Sequence, residues 1–378
     1  MNPAVSEIPP SLIRAINARK RPGDIDLGLG EPTLRPDPAP FEAAVEWVRG
    51  HGCPYTANAG DAELRERIAG YAGAGRFSEA ANVCVTVGSE EAIYLAVKSL
   101  LDPTRDEVLV VEPCYLAYPK LCTLEGIAHR SVALDAADGF RPDASAVLAA
   151  LGPRTRLVVL NSPGNPTGRV WPAEELERLA AGLDARGGEP VYILSDEVYR
   201  ELYYTAAPPA SIARWHPYSL VAGSLSKSNA LTGLRLGWLV GPGDVVGAAV
   251  KVHQFVNTAA STLSQRVALN IFREPVRLAE HRSHYEGARE ALLAGAERER
   301  LEVLPPEGAF YALLRLPPTL AHDSVRAAER LLEEKRVVTV PGRAFGEAAE
   351  GWLRLSWVAP QGAVEDGLRR IAQFLKGK

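Results

Sequence analysis

Between residues 83 and 240 the chain alternates short apolar runs with longer stretches of mixed polarity. The runs are VCVTV (83–87), EVLVVE (107–112), RLVVLN (156–161), VYILSD (191–196), SLVAGS (219–224) and RLGWLV (235–240). Segments such as VVL and YIL are apolar without a break, as strands covered on both faces require. EEAIYLAVKSLL (90–101) repeats its apolar positions at helical spacing, and PAEELERLAAGLDAR (172–186) opens with proline at an N1-like position. Strands alternating with helices predict an α/β fold with a mostly parallel sheet. Such sheets bind ligands at the carboxyl ends of their strands. Gly88, Ser89, Asn161, Asp196 and Ser224 fall there.

The texture changes near residue 275. A charged helical stretch (274–300) leads to GAFYALLRL, a helix near 323–335, then VVTVPG, WLRLSW and a terminal helix. This predicts a second, smaller α+β domain. The first 40 residues, rich in proline and glycine, are expected to pack on it or across the junction. The expected division is a large domain over 41–275 and a small domain formed by 1–40 with 276–378.

Composition narrows the function classes. With 378 residues, 47% hydrophobic and 23% charged, the chain can bury one large core or two. A net charge of −4 argues against a nucleic-acid or membrane-surface role. No apolar run approaches the ~18 residues that span a bilayer, and the N-terminal stretch has no apolar signal core. Cys53, Cys84, Cys114 and Cys122 form neither a CxxC pair nor a zinc-like spacing. They read as reduced thiols of a cytoplasmic protein, and no metal is expected.

Candidate chemistry centres on SLSKSNALTGLRLGW (224–238). Lysine is scarce, and Lys227 has small, hydroxylated or apolar neighbours. A desolvated lysine can act as a nucleophile and form a Schiff base; a solvated one is only a surface charge. Ser224, Ser226 and Arg235 flank it, and arginine with serine hydroxyls suits a phosphate. The turn at Ser89 and Glu90 precedes a helix, so its free N–H groups can hold an anion, or Ser89 can simply cap the helix. Asp196 ends a buried strand and needs a partner; a protonated pyridine nitrogen would serve, with Tyr199 nearby, though an aspartate can also cap a turn. Asn165 sits in the rigid NSPGNPTG turn, and Tyr115 follows a strand as an aromatic plate or as core. Arg354 stands among leucines in WLRLSW, which calls for an anion: a substrate carboxylate or an internal salt bridge.

Together these blocks resemble the fold-type I pyridoxal-phosphate aminotransferases of class I/II, in the broad bacterial subgroup that includes aspartate and aromatic aminotransferases. The resemblance runs from DLGLGEPTL (26–34) through YTANAGDAELRERIA (55–69) to PEGAFYAL (306–313), VPGRAFGE and LRLSW. It implies a large domain with a mostly parallel seven-stranded sheet, a smaller α+β domain, and pyridoxal 5'-phosphate bound by Lys227 as a Schiff base. Asp196 would pair with the pyridine nitrogen; Tyr199 and Asn165 would bond the ring oxygen; Tyr115 would stack on the ring. Ser89, Glu90 (through backbone), Ser224 and Arg235 would bind the phosphate, and Tyr55 would reach the phosphate of a neighbouring subunit in a homodimer. Arg354 would clamp the substrate α-carboxylate, helped by the backbone of Gly30.

The implied activity is ping-pong transfer of an amino group between an L-amino acid and a 2-oxo acid. The GEP block continues TL where many relatives have an acidic-aromatic pair. The segment 251–265 lacks the second arginine by which some aspartate-specific relatives bind a distal carboxylate across the dimer. An apolar or aromatic side chain is therefore also allowed. GRVW after NPT also resembles the C–S lyase branch of the same fold, which makes β-elimination the alternative activity. A regulatory module would be expected to add a DNA-binding domain, and GLGEP lacks the spacing of a nicotinamide-binding turn.

Overall fold

All six apolar runs become strands of one sheet. The computed structural model describes residues 3–6, 8, 10–279 and 281–377. The sheet has seven strands in the order Val83–Thr86, Gly237–Val240, Ser219–Ser224, Tyr192–Asp196, Thr155–Asn161, Glu107–Glu112 and Ala128–Ala133. Only Gly237–Val240 runs antiparallel to its neighbours; the other pairings are parallel. The strand absent from the sequence reading is Ala128–Ala133. It lies at the sheet edge and is largely exposed, so AHRSVA carries no apolar run. Charge on an exposed edge also guards against further strand pairing.

Unbroken apolarity reflects cover on both faces. In Thr155–Asn161, Leu157 and Val159 pack with Ile93 and Val246, while Val158 and Leu160 pack with Leu176 and Leu179 on the opposite side. Successive side chains of a strand point to opposite faces, so both sets must be apolar. The helices Ser89–Leu100 and Gly243–Val256 cover the first face, and Ala173–Ala185 covers part of the second.

Three local expectations shift. The run at 235–240 starts pairing only at Gly237, because Arg235 takes a left-handed φ of 49° and turns out of the strand direction. Gly88, not Ser89, is the N-cap of its helix, and Ser89 is the first helical residue. Pro172 is itself an extended N-cap, one position before the helix begins at Ala173.

The C-terminal part forms an antiparallel sheet, Val340–Pro341, Trp352–Ser356 and Tyr311–Arg315, with the helices Arg282–Glu299, Ser324–Lys335 and Gln361–Leu375 around it. The N-terminal segment joins it: Ile25–Asp26 pairs in parallel with Val337–Val338, and Ile16 of the helix Leu12–Ala18 enters the same core. Residues 28–30 then run between the two sheets, with Gly28 O bonded to Arg354 and Gly30 O bonded to Lys227.

Candidate active site

Carboxyl ends of the parallel strands open into a cavity of about 390 Å³, lined by groups from both parts of the chain. Its back is Asp196, the last residue of its strand and 4% exposed. Asp196 Oδ2 accepts a bond from Tyr118 Oη at 2.7 Å, and Oδ1 accepts from the Val198 N–H at 3.2 Å. Burial pushes the carboxyl up to about 6, against the pull of those two donors. Beside it, Asn161 Nδ2 donates to Asp196 O at 2.9 Å, and Asn161 Oδ1 accepts from the Asn165 N–H at 2.7 Å. The strand end therefore sets the position of the following loop and of the buried Asn165.

Lys227 lines the cavity. Its Nζ donates to Gly30 O at 2.7 Å, and among the described residues no carboxylate lies within 4.0 Å of it. A second cation, Arg235, stands where Ser89 begins its helix. Gly88 has φ of +81°, and a Cβ there would lie 2.5 Å from Arg235 Nη2. A Cβ on Gly237 would come within 2.4 Å of the Ser89 nitrogen. Glycine at both positions lets the helix start approach the loop before the antiparallel strand. The result is an anion seat of guanidinium, serine hydroxyl and free helical N–H groups.

Ser224 does not line this cavity. Its Oγ donates to Leu236 O at 2.9 Å and accepts from the Ser226 N–H at 2.9 Å, and its two-residue neighbour Ser226 faces the cavity instead. Ser224 thus shapes the loop while Ser226 lines it. Tyr115 is half-buried on the wall and meets the Tyr118 ring edge-on at 5.8 Å. Tyr199 is buried, and its hydroxyl bonds that of Tyr311 at 3.1 Å. Burial drives the Tyr115 and Tyr199 hydroxyls upward, so both remain protonated donors.

Arg354 comes from the smaller sheet. It is 2% exposed, and the whole strand Trp352–Ser356 is buried on both sides rather than alternating. Its Nη1 donates to Asn165 Oδ1 at 3.1 Å, its Nη2 donates to Gly28 O at 2.8 Å, and the guanidinium lies over the Tyr311 ring at 4.2 Å. Its Nε is buried with no hydrogen-bond partner among the described residues. Among the described residues no carboxylate lies within 4.0 Å, so no internal salt bridge neutralises it. Burial weakens its hold on the proton, and a carboxylate entering the cavity would reverse that effect.

The cavity thus gathers Gly30, Ser89, Glu90, Tyr115, Asn165, Asp196, Tyr199, Lys227, Arg235 and Arg354. Tyr55 is not part of it and is 84% exposed. Sequence reading missed Tyr118, Tyr311 and the N-terminal helix with Ser11 and Arg14, and it named Ser226 beside Lys227 while giving the phosphate to Ser224. Tyr118 had a signal: it follows Tyr115 by three residues, and the turn in which the Tyr118 N–H bonds Tyr115 O brings the two rings together. Cys114, beside Tyr115, is buried, and burial holds its thiol protonated.

The donor set fits pyridoxal 5'-phosphate. An anion seat lies at Ser89, Ser226 and Arg235, a buried carboxylate faces the cavity at Asp196, and an amine bonded to a backbone carbonyl but to no carboxylate among the described residues stands at Lys227. These match the phosphate, the ring nitrogen and the aldehyde of that molecule.

Comparison with known proteins agrees. The profile of the family described as Aminotransferase class I and II matches residues 22–371. The aspartate/prephenate aminotransferase of Thermus thermophilus is 35% identical, over 98% of this chain and 97% of its own. The putative aminotransferase YugH of Bacillus subtilis is 32% identical, over 98% and 97%. Among solved structures, Thermus thermophilus aspartate aminotransferase with maleate superposes with a TM-score of 0.91 at 33% identity, covering 99% of each chain. Thermotoga maritima aspartate aminotransferase gives 0.91 at 31%, covering 100% of each. These matches carry aminotransferase names, and nothing in them favours the C–S lyase alternative. The chain belongs to the class I and II aminotransferases and is a pyridoxal-phosphate-dependent transaminase.

Proposed function

We propose that this one cavity carries out both halves of a transamination between an L-amino acid and a 2-oxo acid. The observation that carries the proposal is the presence in it of an amine and a buried guanidinium, neither with an acidic partner. When bound, pyridoxal phosphate supplies an electron-poor ring that accepts electron density from the substrate Cα. Lys227 Nζ holds the cofactor and then takes the proton from the substrate Cα. Asp196 holds a positive ring nitrogen in place, kept ready by Tyr118. Tyr199 and Asn165 donate to the ring oxygen, and Tyr115 covers one ring face. Ser89, the Glu90 N–H, Ser226 and Arg235 bind the phosphate, with Ser224 shaping their loop. Arg354 and the Gly30 backbone fix the α-carboxylate, which orients the Cα–H bond. Initial velocities at varied amino donor and 2-oxo acid test the proposal. Parallel reciprocal plots are expected; intersecting plots contradict a shared site used in turn.

The working unit is a homodimer in a reducing, cytoplasmic setting. Tyr55, Phe255 and Leu263 are 84%, 86% and 38% exposed. Their segments lie side by side, since Asn58 Nδ2 donates to Thr258 O and Thr262 Oγ1 donates to Pro54 O. An exposed aromatic and apolar face of this kind suits a second copy of the chain, with Tyr55 reaching the neighbouring phosphate site. Cys53, Cys84, Cys114 and Cys122 are all free thiols, in keeping with that setting. The assignment of the N-terminal segment to the smaller domain is supported by the pairing of Ile25–Asp26 with Val337–Val338. Sedimentation should give a dimer, and Tyr55→Ala should weaken cofactor binding.

A further inference from the structure

Three guanidiniums face the cavity with no carboxylate within 4.0 Å among the described residues: Arg235, Arg354 and Arg14, the last on the helix Leu12–Ala18 at the cavity rim. Ser11 caps this helix, and Ile16 anchors it in the smaller domain's core. Ser11, Arg14 and Asn17 follow at three-residue steps, share one helix face, and all line the cavity. Arg14 is exposed, and among the described residues its guanidinium has no hydrogen bond or ion pair; only its N–H is bonded, to Ser11 Oγ at 3.4 Å. Five residues on, the C-cap Arg19 is different: it pairs with Glu329 and Glu333.

The other charged groups on the cavity are Glu90, Asp196, Lys227, Arg235 and Arg354. If the roles proposed above hold, Lys227, Arg235 and Asp196 serve the cofactor and Arg354 serves the α-carboxylate. Glu90 stands on the Tyr115 side, where its charge acts on the Tyr115 hydroxyl. Arg14 is then the remaining cation. The segment 251–265 contains no arginine. The next one, Arg266, is held by Asp61 at 2.8 Å and stacked over Trp47 at 3.9 Å.

We propose that Arg14 binds the distal carboxylate of a dicarboxylic amino acid or oxo acid while Arg354 binds its α-carboxylate. The recognition comes from the same subunit as Lys227. A guanidinium on a short surface helix binds a carboxylate through paired N–H donors while remaining open to solvent and salt. Neutral substrates can still enter, because nothing buried depends on Arg14 being neutralised.

The test compares kcat/KM for aspartate and glutamate with that for alanine and phenylalanine, in wild-type holoenzyme, Arg14→Ala and Arg14→Lys. Maleate and crotonate are titrated into each protein in parallel, followed by calorimetry. Loss of one charge-assisted contact should lower the dicarboxylate-to-neutral ratio about 10- to 100-fold in Arg14→Ala. The loss should appear mainly in KM, with partial recovery in Arg14→Lys. Maleate affinity should fall by a similar factor and crotonate affinity much less. An unchanged ratio with unchanged maleate affinity overturns the role of Arg14, as does an equal loss for all substrates and both ligands. If no amino acid yields an oxo acid even in the wild type, the proposed transamination fails, and the maleate titration still decides on Arg14.

Discussion

The back of the cavity and its rim are built on opposite terms. At the back, Asp196, Asn161, Asn165 and Arg354 are tied to one another or to backbone by bonds of 2.7 to 3.2 Å. Asp196 and Asn161 end their strands, Asn165 lies in the loop that Asn161 pins, and Arg354 is the middle residue of a buried strand; burial raises the proton affinity of Asp196 and lowers that of Arg354. At the rim, Arg14 lies on a seven-residue helix, exposed and without a side-chain partner among the described residues. The lesson is a division of labour. Chemistry common to all substrates rests on rigid, desolvated groups. The choice among substrates is left to a group that solvent and salt can reach.

If that division holds, substitutions at the back should damage every substrate alike. The largest effect belongs to Lys227→Ala: about 10³-fold or more lost in kcat with any donor. The cofactor should also wash out on gel filtration; retention with normal turnover would dismantle the account. Next is Arg354→Ala, expected to lower kcat/KM about 10²- to 10³-fold for dicarboxylic and neutral donors equally. A loss confined to dicarboxylic donors would exchange the roles of the two arginines.

Asp196 allows a test through stability. In the cofactor-free protein its carboxyl holds a proton up to about pH 6, against 3.8 as the ordinary value. Between these values the folded state carries more protons than the unfolded state, so this group makes stability fall as pH rises. Asp196→Asn removes that fall. Its stability relative to wild type, from urea titrations, should improve by about 2 kcal/mol between pH 4.5 and 7.5. A constant difference would mean that Asp196 is already ionised without the cofactor. The smallest effect is expected from Tyr118→Phe, which deletes one donor to Asp196. Cofactor affinity should drop about tenfold, and its acid limit should move to higher pH, because the lost donor favoured the charged form.

The same contrast explains what was legible in the sequence. Strands covered on both faces must be apolar throughout, so six of seven could be read directly, and their ends located Asp196 and Asn161. Ala128–Ala133 escaped because an exposed edge strand has no such requirement. Lys227 and Arg354 stood out because each is a charge among apolar or small residues, and Asp196 because it ends a buried apolar strand. Tyr118 and Tyr311 did not, since a tyrosine in an apolar run reads equally well as core. Arg14 was illegible for a different reason. In SLIRAINARK it is one of several surface cations, and only the fold of the N-terminal segment over the strand ends brings it to the cavity. Ser226 and Ser224 differ by two positions, and only the left-handed turn at Arg235 and the bond to Leu236 O separate lining from support.

The most direct measurement of the central claim is a single-turnover assay without an acceptor. Cofactor-loaded protein is mixed with a large excess of one amino donor, and the 2-oxo acid and ammonia are counted. Alternating use of one site by the two halves of the reaction predicts one equivalent of 2-oxo acid per subunit, no ammonia, and renewed product when a second 2-oxo acid is added. Continued release of oxo acid together with ammonia, with no acceptor present, would contradict transamination and point to elimination.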